Sequence, residues 1–296
     1  MISILIPIFN YPVHDLVFRI REMAQRENID YEILVADDAS TNSSFLKQNE
    51  FLSELDNCSY FKFESNKGRT ATTHYLAEQA QYEHLLFLDA DVLPAKEDFL
   101  KIILKNLSKA PVLFGGITYP EVNSNPDSRL RFVYGHKRES RPLDLRIQQP
   151  YRSITLAAVV ITKKLFEEIE MPLTNLYGLD IYFSYRLKQL QTKIVHLDNP
   201  VIHKGIETTS EFLSKTQDGL KTMVMLEKNK YVASHYRPLQ VVASRFEKLK
   251  MKNSYIQLFK RIEPQALKNL HSQSPSLKVF DAWRLYHFLK LRNEAS

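Results

Sequence analysis

The chain has 296 residues, 44% hydrophobic and 25% charged, a balance that fits a globular protein with a substantial core. No apolar run approaches the roughly 20 residues of a membrane helix, and the lone Cys58 leaves no disulfide framework and no cysteine-based zinc site. The net charge of +6 is uneven: from Lys221 onward there are 15 Lys/Arg against 5 Asp/Glu, whereas the preceding residues carry more acid than base.

The first 120 residues alternate regularly. Ile2–Phe9 is a compact β-branched run, too short to span a membrane and without the basic leader or cleavage site of a secretory signal. Leu16, Ile20 and Met23 then recur at helical spacing. Tyr31–Ala36 and the weaker Tyr60–Phe63 read as strands, Thr70–Ala80 as a helix, and His84–Leu88 as a buried strand. Ile102, Ile103 and Leu107 mark another helix before the strand Val112–Phe114. This alternation predicts a doubly wound, mostly parallel α/β sheet with helices on both faces. From Asn123 to Tyr151 the pattern is irregular, with three prolines and a basic cluster at Arg129, Arg131, Lys137, Arg138 and Arg141. Order returns with strand-like Ile154–Ile161, a helix near Lys163–Ile169, a helix over Leu179–Leu190, and short strands at Val195–Leu197 and Val201–Ile202. The remainder reads as a helical extension, with Leu239, Val242, Phe246, Leu249, Ile256 and Phe259 on one face and Trp283, Tyr286 and Phe288 in the last helix. The chain thus divides into an α/β part over 1–215 and a basic helical extension over 216–296.

Ligands of such sheets bind beyond the carboxyl ends of the strands. With only 7 glycines the chain has no glycine-rich phosphate loop and no G-x-G-x-x-G turn, so any phosphate must be handled by a metal and side chains. Asp89-Ala90-Asp91 ends the strand His84–Leu88, where two carboxylates around a small residue suit one hard cation, Mg²⁺ or Mn²⁺, that also takes substrate phosphates. A loop or helix cap is the plainer reading of an isolated Asp-x-Asp. Asp37-Asp38 closes the second strand and suits either a helix cap or hydrogen bonds to ribose and base. Asp180 reads equally as an acid favoured at a helix N-terminus and as a general base. His203 is a satisfied ring or a group completing a metal or diphosphate site.

Taken in order, these segments resemble the inverting family 2 glycosyltransferases of the GT-A fold. The matching pieces are Ile4-Leu5-Ile6-Pro7-Ile8-Phe9-Asn10, Val35-Ala36-Asp37-Asp38-Ala39-Ser40, Asn66-Lys67-Gly68-Arg69, Leu86-Phe87-Leu88-Asp89-Ala90-Asp91, Tyr134-Gly135-His136-Lys137-Arg138-Glu139, Tyr177-Gly178-Leu179-Asp180 and Asn199-Pro200-Val201-Ile202-His203. The resemblance implies a nucleotide-diphosphate sugar donor, a uridine diphosphate sugar first among them, and transfer to a hydroxyl of a glycan or lipid-linked acceptor in polysaccharide biosynthesis. It implies donor contacts from Pro7, Ile8, Phe9, Asp37, Asn66, Arg69, Asp89 and Ala90, metal ligation by Asp89, Asp91 and His203, and Asp180 as catalytic base. The chain departs from the family at Leu179, where an acid is common, at Thr73-His74, where Arg-Asn is common, and at Leu156-Ala157-Ala158, where Asn is common.

A non-catalytic partner in a glycan-assembly complex is the competing reading, and a nucleotidyltransferase is a third, disfavoured by the absence of glycine from Pro7–Pro12. The basic tail carries no groove-reading or stacking motif, so nucleic acid is not an expected partner. The tail is either a solvated helix face or a means of holding an enzyme, cytoplasmic by default, at the inner membrane surface. A tail packed on the catalytic domain or forming a homodimer would show the same periodicity.

Overall fold

The computed structural model describes residues 1–123, 125–172 and 174–294. The elements run β1 (Ile2–Ile8), α1 (His14–Arg26), β2 (Tyr31–Asp37), α2 (Ser43–Glu50), β3 (Cys58–Lys62), α3 (Arg69–Gln79), β4 (His84–Leu88), β5 (Val92–Pro94), α4 (Phe99–Leu104), β6 (Val112–Phe114) and β7 (Ile117–Thr118). They continue with α5 (Arg129–Tyr134), α6 (Leu143–Gln148), β8 (Ala158–Thr162), α7 (Lys163–Glu168), α8 (Asp180–Gln189), β9 (Ile194–His196), β10 (Val201–His203), α9 (Thr209–Lys228), α10 (Pro238–Lys248), α11 (Lys252–Leu270) and α12 (Leu277–Glu294). The backbone forms two compact units interleaved along the chain. One comprises Met1–Pro120, Glu139–Asn175 and Arg186–Gly205, and the other Glu121–Arg138, Leu176–Tyr185 and Ile206–Ser296.

The first unit is built on a seven-stranded sheet of order β3-β2-β1-β4-β8-β6-β9. It is mostly parallel; β8 alone runs antiparallel to both of its neighbours. Both faces are buried, which explains the unbroken apolar runs. Ile2, Ile4, Ile6 and Ile8 join Leu16, Val17, Ile20 and Met23 of α1 in one core. Alternate residues point the other way, where Phe87 of β4 lies 4.8 Å, ring to ring, from Phe166 of α7.

Two short strands escape the sequence pattern. β5 and β7 flank β10 in a small second sheet of order β5-β10-β7. At two and three residues they are too short to display a period. The expected strand over Ile154–Ile161 begins only at Ala158, and the stretch read as irregular holds α5, α6 and a π-helical turn over Gly135–Glu139.

The second unit is helical. Leu130, Phe212, Leu213, Phe259, Phe280, Trp283 and Tyr286 form one buried cluster, and Leu220, Met223, Ala243, Leu285 and Phe288 another. The single apolar face expected from Leu239 to Phe259 is corrected: α10 and α11 are separate helices, broken where Lys250 takes a left-handed φ of 56°. Phe259 is buried, but Leu249 in the break is 67% exposed.

Candidate active site

β1, β2 and β4 run parallel, so their carboxyl ends share one edge. β1 stands where the chain reverses direction across the sheet, with β2 and β3 on one side and β4 on the other. Its pairing with β4 ends at Leu5↔Phe87, two residues before Pro7, whose missing N–H contributes nothing to a ladder. The strands are therefore unpaired at the switch point where α/β sheets take their ligands. Ile8 is buried in register with Asp37, and Phe9 beyond it is half exposed. Asn10 ties this end to the loop after β2: its N–H donates to Ser40 Oγ at 2.8 Å, and its Oδ1 accepts from the N–H groups of Thr41 and Asn42.

The two acids after β2 have different work. Asp37 is fully buried and accepts from Ser40 N–H at 2.7 Å and from Tyr60 Oη at 2.8 Å. Burial, together with the hydrogen bond to that carboxylate, pushes the Tyr60 phenol well above its usual range. Asp38 accepts from the N–H groups of Lys67 and Gly68 at 2.6 and 2.8 Å, while Asn66 Nδ2 donates to the Asp38 carbonyl. The loop leading into α3 is thus suspended from one carboxylate. Gly68 has φ 87°, and a Cβ there would meet Asn175 Oδ1 at 2.5 Å, so this position needs glycine twice over.

The acids after β4 also separate. Arg69, at the start of α3, donates through Nε and Nη2 to Asp89 Oδ1 at 2.9 and 2.6 Å. Ala90 lies half-buried between them and Asp91. The small sheet sets His203 in register with Val92, immediately beside Asp91. The Asp91 carbonyl accepts from Lys204 N–H at 2.7 Å, and Asp91 Oδ2 lies 3.5 Å from His203 Nε2. Among the described residues the buried His203 Nδ1 has no hydrogen-bond partner. Tyr11 lies close enough to feel this carboxylate: burial first, and then the charge of Asp91, raises its pKa. Asp89, Asp91 and His203, read from the sequence as one metal-ligating set, do not converge, because Asp89 is turned to Arg69. Among the described residues no three His, Cys, Asp or Glu side chains come close enough to hold a metal by themselves. Asp91 and His203 nevertheless fit part of a site: a carboxylate and an imidazole suit Mn²⁺, a cation that takes its remaining ligands readily from phosphate and water.

Asp180 belongs to the second unit and opens α8. Gly178 before it has φ 89°. The part of α8 that belongs to the second unit, Asp180–Tyr185, is held there by Ser184, whose Oγ accepts from Arg237 Nη2 at 2.7 Å and from Tyr236 Oη at 3.1 Å. Leu179 is buried, so the position where an acid is common serves packing.

The residue pattern is matched over residues 3–169, more than half of the chain, by the family model described as "Glycosyl transferase family 2". The chain belongs to glycosyl transferase family 2. No curated protein matches it by sequence. Among solved structures, this family 2 chain is similar to the mannosyltransferase PcManGT from Pyrobaculum calidifontis, in complex with GDP-Man and Mn²⁺, with a TM-score of 0.62 and 11% identity over 100% of this chain and 87% of that one. It is also similar to residues 1–349 of TarS from S. aureus, with a TM-score of 0.51 and 15% identity over 99% of this chain and 90% of that one. At these identities the likeness establishes the GT-A fold.

Within this family 2 site, three contributors have little sequence signal of their own. Asp38 was legible only as a cap or a donor contact, and Tyr60 lies on a weak strand. Gly205 is needed because a Cβ there would lie 2.1 Å from Asp91 Oδ2; its one clue is the scarcity of glycine. The Leu156-Ala157-Ala158 departure is buried and structural, since the Ala157 carbonyl accepts Asp89 N–H at 3.0 Å. Thr73 and His74 are likewise internal: Thr73 Oγ1 donates to the Arg69 carbonyl, and the His74 ring lies 4.8 Å from Phe166.

Proposed function

We propose that the chain is an inverting glycosyltransferase that moves a sugar from a nucleotide-diphosphate donor to a hydroxyl of a glycan or lipid-linked acceptor. The observation that carries the reading is the pairing of Asp91 with His203 at the open carboxyl edge of β4, in a chain of this family. The GDP-Man and Mn²⁺ of the similarly folded mannosyltransferase support the same class of donor and metal.

In this reading the Asp37 end of β2 receives the base or ribose, and Pro7, Ile8 and Phe9 form the wall along which the nucleoside lies. Asn66 and Ala90 face the donor, and Arg69 with Asp89 orients its sugar and phosphates. Asp91 and His203 would hold Mn²⁺ or Mg²⁺, which neutralises charge on the diphosphate leaving group. Asp180 removes the proton of the acceptor hydroxyl. The acceptor oxygen bonds to the anomeric carbon from the face opposite the diphosphate; the carbon–oxygen bond to the diphosphate breaks, and the configuration inverts. A single displacement needs no protein nucleophile. Catalysis is assigned to residues 1–215, and the basic extension 216–296 keeps the enzyme at an anionic membrane surface on the cytoplasmic side.

Calorimetry with UDP and GDP, with and without Mn²⁺, tests the donor site. Metal-dependent binding of one nucleotide, lost in Asp91→Ala, and transfer activity lost in Asp180→Asn are the expected results. A folded protein that binds neither nucleotide would leave the non-catalytic partner as the better reading.

A further inference from the structure

Several exposed apolar residues of the second unit cluster in one place. Four of them, Leu249, Met251, Leu258 and Ile262, lie on the turn between α10 and α11 and along one stripe of α11. Leu258 and Ile262 are four residues apart and Met251 is seven before Leu258, so all three share a helix face. That face is opposite in purpose to the buried one, where Phe259, Ala266 and Leu270 already supply α11 with its core contacts. A merely solvated face has no need of a leucine that is 60% exposed beside an isoleucine that is 46% exposed.

The charges around the stripe follow the same line. At the turn, lysine alternates with apolar residues in Lys248-Leu249-Lys250-Met251-Lys252, and Arg261 flanks Leu258 on the next turn of α11. Over residues 245–261 there are six Lys/Arg and a single acid, Glu247, which is occupied by Arg292 at 3.1 Å. Among the described residues none of Lys248, Lys250, Lys252 and Arg261 has an acidic partner. The hairpin is also braced from within. The Phe246 and Tyr255 rings meet edge to face at 5.0 Å, and Tyr255 Oη donates to the Ala282 carbonyl at 2.9 Å.

The geometry points to a docking surface for anionic lipid at the α10–α11 turn: Leu249, Met251, Leu258 and Ile262 enter the headgroup boundary while Lys248, Lys250, Lys252 and Arg261 lie among the phosphates. The inference deepens the membrane part of the proposed function by assigning it to this turn. Apolar side chains gain by leaving water, and the lysine stems bury along them while their ammonium groups stay at phosphate level. Each cation near an anionic bilayer strengthens binding roughly fivefold. No helix among the described residues is long and apolar enough to cross a membrane, so attachment of this kind is peripheral.

Sedimentation of the full chain with vesicles tests the surface. Binding is expected to phosphatidylcholine vesicles holding 30% phosphatidylglycerol, but not to pure phosphatidylcholine, and to fall in high salt. Replacing Lys248, Lys250 and Lys252 together by Gln should weaken it about a hundredfold, and Leu249→Gln with Leu258→Gln at least tenfold. In Leu258→Trp the added fluorophore should shift to the blue on anionic vesicles. Wild-type protein that stays in the supernatant overturns the proposal, as does vesicle binding that these variants leave unchanged. Self-association without lipid that Leu249→Gln/Leu258→Gln abolishes would assign the stripe to a second copy, and RNA binding lost with the lysines while vesicle binding persists would assign it to nucleic acid. Nucleotide calorimetry on the same variants separates failure here from failure of the donor site, since none of these residues is assigned a part in donor binding.

Discussion

Gly205 leaves room for the carboxylate of Asp91: a Cβ at position 205 would lie 2.1 Å from Asp91 Oδ2, a distance that no packed side chain tolerates. The smallest substitution at this position therefore acts on the carboxylate beside His203. Gly205→Ala should fold, because the displaced group is a rotatable side chain, yet should lower metal-dependent nucleotide affinity at least tenfold. Calorimetry beside a thermal melt checks it; unchanged affinity would detach Asp91 from the donor site.

Asp38 offers a contrasting test. Its two oxygens accept the N–H groups of Lys67 and Gly68, and Asp38 is itself buried. Asp38→Ala strands two backbone donors, each costing about 1–3 kcal/mol when left unpaired out of water. Urea unfolding should show a loss of ~2–6 kcal/mol, with weakened donor binding because the loop carrying Asn66 and leading to Arg69 loses its suspension. A stability within 0.5 kcal/mol of wild type would show that the loop finds other partners.

Arg69 and Asp89 should behave in the opposite way. Their side chains are 41% and 24% exposed, and ion pairs in such surroundings add little to folding. Arg69→Ala should leave the melting temperature nearly unchanged while reducing donor affinity, and Arg69→Lys should not restore it, because a lysine has one nitrogen where Arg69 uses Nε and Nη2 on a single oxygen. Full recovery by lysine would mean that only charge is needed at that position.

These residues also show where a sequence is legible. The strands Ile2–Ile8, Tyr31–Asp37 and His84–Leu88 are readable because a sheet covered on both faces writes itself as a continuous apolar run, and the acids at their ends mark the ligand edge. What brings His203 to Asp91 is a three-residue strand paired to another three-residue strand, a contact across more than a hundred positions with no local periodicity. The turning of Asp89 to Arg69 is equally invisible, because a rotamer choice leaves no trace in spacing. The break at Lys250 is hidden because an apolar residue recurring every three or four positions reads through a short turn as readily as along a helix. Exposure of Leu249 follows from that break alone.

Mild acid should weaken the fold. His196 is buried, with Nε2 3.0 Å from the Pro150 carbonyl and Nδ1 3.4 Å from Arg146 Nη1. Burial pushes its pKa down from 6.5 to about 4, the Pro150 carbonyl opposing and the Arg146 guanidinium assisting. The unfolded chain takes up a proton on this ring below pH 6.5, whereas the folded chain resists until about pH 4. Stability is therefore complete above 6.5 and falls as pH drops from 6.5 towards 4, by on the order of 2 kcal/mol. Burial likewise lowers the pKa values of His74 and His84, which adds to the slope with the same sign. Urea unfolding of wild type and His196→Gln at pH 7.5, 5.5 and 4.5 isolates the share of His196. The variant should be the less stable at pH 7.5 and should lose less between 7.5 and 4.5. Parallel pH profiles would place the acid sensitivity on the other buried histidines.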